Sequence, residues 1–115
     1  DSFGNLDWTR TYNASGMYYH RFGASGLEDG GLIITGSTNY FANPGDLEDA
    51  LLIRIDYNGN VLWSNSYGSG DHDDWGWDVI ETPQKNIVFV GATKSYGASL
   101  FDIFLVGTDA QGLSN

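Results

Sequence analysis

The stretch Asp56-Tyr57-Asn58-Gly59-Asn60-Val61-Leu62-Trp63-Ser64-Asn65-Ser66-Tyr67 decides the fold, because its landmarks are already present near the start of the chain. Gly4-Asn5, Trp8 and Tyr12 recur as Gly59-Asn60, Trp63 and Tyr67, each 55 residues further on. Gly36-Ser37-Thr38 returns at the same offset as Gly91-Ala92-Thr93, after which Asp49, Asp56 and Gly59 return as Asp102, Asp109 and Gly112 at an offset of 53. A length difference in one loop accounts for the change. The chain is therefore one structural module written twice. Modules repeated at such a period cannot bury their hydrophobic faces alone and stack on one another to do so.

Within each copy the pattern is that of strands. Leu32-Ile33-Ile34-Thr35-Gly36 and Ile87-Val88-Phe89-Val90-Gly91 are apolar and too short for helices, which predicts middle strands covered on both faces. Residues 49–56 and 102–109 follow as further strands, each closed by a turn, Tyr57-Asn58-Gly59-Asn60 or Ala110-Gln111-Gly112. Leu6, Trp8 and Tyr12 alternate with Asp7, Thr9 and Thr11, and Val61, Trp63 and Tyr67 do so less cleanly with Leu62, Ser64 and Ser66. Both stretches predict outer strands with one wet face. Tyr19 to Gly26 and Asp74 to Glu81 supply the innermost strands. No segment has helical periodicity, so the expected class is all-β with four antiparallel strands per unit.

Composition narrows the function. Aromatic residues make up 15% of the 115, with 16 Gly and two Pro, as in a folded, turn-rich chain. Five Lys and Arg against 15 Asp and Glu leave a formal charge of −10, which repels nucleic-acid backbones and anionic membranes. Nucleic-acid binding is not expected, and neither is membrane insertion, because no apolar run approaches the roughly 20 residues of a membrane span. The absence of cysteine removes disulfides and thiolate metal sites. Asn13-Ala14-Ser15 is a glycosylation sequon whose simplest reading is a chance match.

Four antiparallel strands with an apolar middle strand and a polar outer one describe a propeller blade. Asp-x-x-Gly-Asn-x-x-Trp at Asp56 to Trp63, then Tyr67-Gly68-Ser69-Gly70 with acidic residues, then an apolar run ending Gly-x-Thr, resembles the bacterial and archaeal β-propeller repeats of secreted and surface proteins. The resemblance spans nearly the whole chain and implies an extracellular or cell-surface location, without implying one activity. Tyr18-Tyr19-His20-Arg21 departs from it where the second copy has acidic Asp73-Asp74, and Lys85-Asn86 replaces Gly30-Gly31. On this reading residues 1–12 are an outer closing strand, 13–67 a first blade and 68–115 an incomplete second blade. Two blades do not close a ring alone, since propellers use about 4 to 8. The outer strand missing from the second blade is then supplied by the N-terminus of a neighbouring chain, giving a head-to-tail ring with an even number of blades or a filament. Leu6, Trp8, Tyr12 and Phe104 are the expected assembly residues. A start at Asp1 also admits the alternative that the chain is a two-blade fragment of a longer propeller.

Two clusters are candidate ligand sites. Asp71, Asp73 and Asp74 are hard-oxygen ligands suited to calcium as a cofactor, although the spacing is not that of an EF-hand. The competing reading is an acidic loop whose carboxylates accept backbone N–H bonds. Trp75 and Trp77, with Tyr18 and Tyr19 of the matching loop, form a candidate aromatic platform for sugar rings, or else the packing surface between blades. His20 and His72 lack metal-ligand spacing, and no serine lies in a nucleophile elbow, so no enzyme activity is expected. The reading reached is a non-catalytic, self-associating structural or adhesive module, with a carbohydrate-binding lectin as the alternative.

Overall fold

A computed structural model describes residues 1–12, 19–39, 48–68, 72–94 and 100–114, with side chains from residue 22 onward in the first strand. Those residues form an all-β protein without helix. β1 (Tyr19–Gly26), β2 (Leu32–Thr38), β3 (Asp49–Ile55) and β4 (Val61–Tyr67) make a four-stranded sheet in that order. β5 (Asp74–Glu81), β6 (Ile87–Thr93) and β7 (Asp102–Thr108) make a three-stranded one. Every pairing is antiparallel.

The middle pairs run in unbroken register, Leu32 opposite Ile55 to Thr38 opposite Asp49, and Ile87 opposite Thr108 to Thr93 opposite Asp102. Irregularity is confined to the flanking strands, where bulges relieve pairing without disturbing the centre. β1 shifts register between His20 and Gly23, and β5 shifts between Gly76 and Asp78, the equivalent place in the repeat. A third shift leaves Leu62 as an extra residue between Trp63 and Val61, which explains the imperfect alternation of β4.

The sheets pack face to face through Ile33, Ala50 and Leu52 of the first and Val79, Ile87, Phe89 and Phe104 of the second, with Leu27, Trp63, Tyr67 and Val106 around them. Phe89 anchors this layer: its ring lies 5.3 Å from that of Tyr67 and 5.8 Å from that of Phe104, the latter edge-on. On the far side of the first sheet Leu51, Ile53 and Ile55 form a second cluster with Tyr12, Leu32 and Ile34. Among the described residues the far side of the second sheet has no such cover. There Ile80, Ile103 and Leu105 are 53%, 82% and 68% exposed. β6 is accordingly not covered on both faces as its sequence predicts, for Val90 reaches solvent.

Candidate functional site

The Asp-x-x-Gly turn is built three times. Asp1 Oδ1 accepts the N–H groups of Phe3 and Asn5 at 2.9 and 3.1 Å, Asp56 Oδ1 those of Asn58 and Asn60 at 2.8 and 2.9 Å, and Asp109 Oδ1 those of Gln111 and Leu113 at 2.9 and 3.0 Å. Gly4, Gly59 and Gly112 close the turns at φ of 82°, 85° and 77°, in the left-handed region open to glycine. These bonds hold the Asp56 carboxyl below the usual range, the Asn60 N–H having the largest effect. Residues 1–5 thus repeat the local structure of residues 56–60, whereas residues 6–12 belong to neither sheet.

Two of the three turns, those at Gly59 and Gly112, each seat an aromatic segment from the preceding unit. The Gly112 turn receives Tyr67 OH on the Gly112 carbonyl at 2.5 Å and Asn65 Nδ2 on the same oxygen at 3.2 Å, while Trp63 Nε1 donates to Ala110 O at 3.1 Å. Arg54 Nη1 reaches Ala110 O at 2.9 Å from the neighbouring strand. Burial in this contact raises the Tyr67 phenol above its ordinary value. The Gly59 turn receives Tyr12 OH on the Gly59 carbonyl at 2.6 Å. The indole rings cover both glycines: a Cβ on Gly112 would lie 2.5 Å from the Trp63 ring, and one on Gly59 would lie 2.9 Å from that of Trp8. The N-terminal segment therefore sits on the first sheet as β4 sits on the second.

The other half of the candidate site is the edge of β7. Ser114 bridges Thr108 at its end, and among the described residues no further strand pairs with it. Of the expected assembly residues, Leu6 is 79% exposed, Trp8 covers its own chain's Gly59, and Tyr12 packs beside Leu51, Ile53 and Ile55. Phe104 lies in the layer between the sheets, so Ile103 and Leu105 are the apolar side chains that β7 turns outward.

The acidic run divides by burial. Asp71 and Tyr18 lie outside the described residues, and Tyr19 is described only as the first residue of β1. Asp73 Oδ1 accepts the Glu48 N–H at 3.0 Å, as expected of a carboxylate serving a loop. Asp74 is fully buried at the start of β5 and accepts the Thr93 hydroxyl. Beside it Asp49, from the other sheet, is 6% exposed, and its Oδ1 is buried without a hydrogen-bond partner. Gly68 makes room for both carboxylates: a Cβ there would lie 2.7 Å from Asp49 Oδ1 and collide with Asp74 Oδ2. Burial first and the Asp74 charge second raise the Asp49 carboxyl above the ordinary range. Among the described residues no group of three or more His, Cys, Asp or Glu is arranged to hold a metal ion.

The tryptophans differ in the same way. Trp75 Nε1 donates to Glu48 Oε2, and its ring stacks on Phe101 at 4.6 Å and 28°. Lys94 Nζ lies 4.6 Å from the centre of that Phe101 ring. Trp77, at the β5 bulge, is 45% exposed.

The sequence reading missed the third copy of the turn, although Asp1-x-x-Gly4 has the spacing of Asp56-x-x-Gly59. It also missed the Asp49–Asp74 pair, which carried no signal because the two residues approach only when the sheets pack. No protein-family model matches the chain, and no curated protein matches it.

Proposed function

We propose that this chain is a non-catalytic β-propeller module with a structural or adhesive role outside the cell, whose copies associate by strand exchange. The observation that carries the reading is the equivalence of the two seats, Trp8 and Tyr12 on Gly59 matching Trp63 and Tyr67 on Gly112. A segment seated as β4 is seated, yet lacking a third-strand neighbour of its own, fits the unpaired edge of β7. The β3–β4 register supplies the alignment: Tyr12 opposite Ile103, Arg10 opposite Leu105 and Trp8 opposite Gly107 of another copy, by analogy with Tyr67 opposite Ala50 and Trp63 opposite Arg54. Ser114 already occupies the position at Thr108, so pairing starts at Trp8. Closing an exposed edge in this way removes a row of unpaired backbone groups.

The carbohydrate-binding alternative has less support from the geometry. Trp75 is tied to Glu48 and Phe101, so a sugar platform at this place would depend on Trp77. Multi-angle light scattering across a range of concentrations tests the proposal. The intact chain is expected at multiples of 12.6 kDa, and removal of residues 1–12 is expected to abolish the higher masses. A 12.6 kDa species throughout, unaffected by the truncation, refutes it.

A further inference from the structure

The repeat makes the two outward sheet faces of the chain complementary to each other. At the packed layer, the second sheet contributes Val79, Ile87, Phe89, Phe104 and Val106. The equivalent residues of the first sheet are Ala24, Leu32, Ile34, Leu51 and Ile53, which are apolar and lie on the side away from the second sheet. The first sheet contributes Ile33, Ala50 and Leu52 to the packed layer. Their equivalents in the second sheet are Val88, Ile103 and Leu105, on its uncovered side, where Ile80 and Val90 extend the patch. One outward face is thus the counterpart of the socket already filled within the chain, and the other is the counterpart of what fills it.

The socket has open space. A cleft of about 360 Å³ beside the seated N-terminal segment is lined by Tyr12, Phe22, Gly23, Ala24, Ile34 and Ile53. Tyr12 borders it as Tyr67 borders the intrachain layer. A surface continuing the pattern of an interface present in the same molecule has a defined occupant, because the shape and chemistry that fit are already on view. Two faces related in this way make a heterologous contact, which propagates head to tail.

We propose that the β5–β6–β7 sheet of a second copy of this chain docks its Val90, Ile103 and Leu105 face into the cleft formed by Phe22, Ala24, Ile34 and Ile53, reproducing between chains the layer that joins the two sheets within one. This rests on the self-association reading above and specifies a surface that strand exchange alone does not require. Docking in this orientation brings β7 of the second copy alongside residues 8–12 of the first, so that edge and face belong to one interface. The replica is imperfect. Arg54, which ties the first sheet to Ala110, has Gly107 as its counterpart, so the contact between chains lacks that bond and is weaker than the one within the chain.

The chain has no cysteine, which allows a clean cross-linking test. Single variants Ile34→Cys and Leu105→Cys are prepared separately, mixed, and treated with a short bismaleimide. A dimer is expected from the mixture and not from either variant alone. Leu105→Asp, at a site 68% exposed and so tolerated by the fold, is expected to weaken association by about 100-fold, because a carboxylate would be buried against Ile34 and Ile53. Circular dichroism checks that this variant is folded. A peptide of residues 1–12 separates the two contacts, since it competes for the β7 edge and leaves the faces available. Oligomers that persist in Leu105→Asp, with no cross-link in the mixture and dissociation by the peptide, overturn face docking and leave strand exchange standing. Cross-links that form in the mixture and resist excess peptide support face docking and count against strand exchange. A monomer under all conditions overturns both.

Discussion

Replacing Asp49 by Asn is expected to stabilise the protein, against the usual direction for a buried residue. Asp49 Oδ1 is buried without a partner, and the space beside Gly68 that it faces is shared with the Asp74 carboxylate. A Cβ on Gly68 would be within contact of both, which places the two oxygens within about 5 Å of each other, where like charges at an effective dielectric of about 20 repel by about 3 kcal/mol. Leaving a buried polar group unpaired costs about 1–3 kcal/mol. These costs overlap, because proton uptake by Asp49 relieves part of both. Removal of the charge should therefore return about 1–3 kcal/mol at neutral pH, raising Tm by about 4–12 °C for a domain of this size. The sign with pH follows from the raised carboxyl. The protonated form is favoured in the fold, so its contribution is fully present below the ordinary value of 3.8 and is lost as pH rises through the folded value. The advantage of Asp49→Asn over the parent should accordingly be small in acid and grow to a plateau toward neutrality. Asp29 and Asp56 are shifted the other way, and their effects cancel in the difference. Urea unfolding of both proteins from pH 3 to pH 8 makes the measurement. A variant less stable at pH 7, or a difference independent of pH, refutes the reasoning.

Gly112→Ala would force a side chain into the left-handed region at φ 77° and against the Trp63 ring, for a combined loss of about 2–5 kcal/mol in urea unfolding. Lys85 occupies the left-handed region at φ 69° where its counterpart is Gly30, and its ion pair with Glu28 is exposed. Lys85→Gly is therefore expected to gain about 0.5–1 kcal/mol, read as a higher urea midpoint, because relief of backbone strain exceeds the small value of a surface pair. Copies that each carry a charge of −10 repel one another, so raising sodium chloride from low to physiological concentration should shift sedimentation profiles toward larger species.

The legible features were those that a single strand encodes. The apolar runs at 32–36 and 87–91 located the middle strands because each is apolar and too short for a helix, although β6 is covered on one face only, and the Asp-x-x-Gly spacing located the turns because left-handed backbone selects glycine. What escaped depends on a neighbour. Asp74 stands in a run, Asp71-His72-Asp73-Asp74, that looks like a solvated loop, yet it is fully buried because β5 starts against the first sheet. Phe104 alternates with Ile103 and Leu105, and nothing in that triplet says which side will meet the other sheet.

The same limit explains why the apolar surface reads differently at its two ends. Leu52 and Leu105 occupy equivalent places in equivalent strands, yet one is fully buried and the other is 68% exposed. The difference is that Leu52 faces the second sheet, whereas among the described residues no sheet faces Leu105. Repeated sequence encodes a repeated surface, and a finite stack of such units must present one unmatched face of each kind at its ends. Self-complementarity is therefore a consequence of the repeat itself. For the association proposed above, the particular residues of this chain bear on strength: the seated Trp8 and Tyr12 would favour closure, whereas the absence of an Arg54 counterpart and the large negative charge would oppose it.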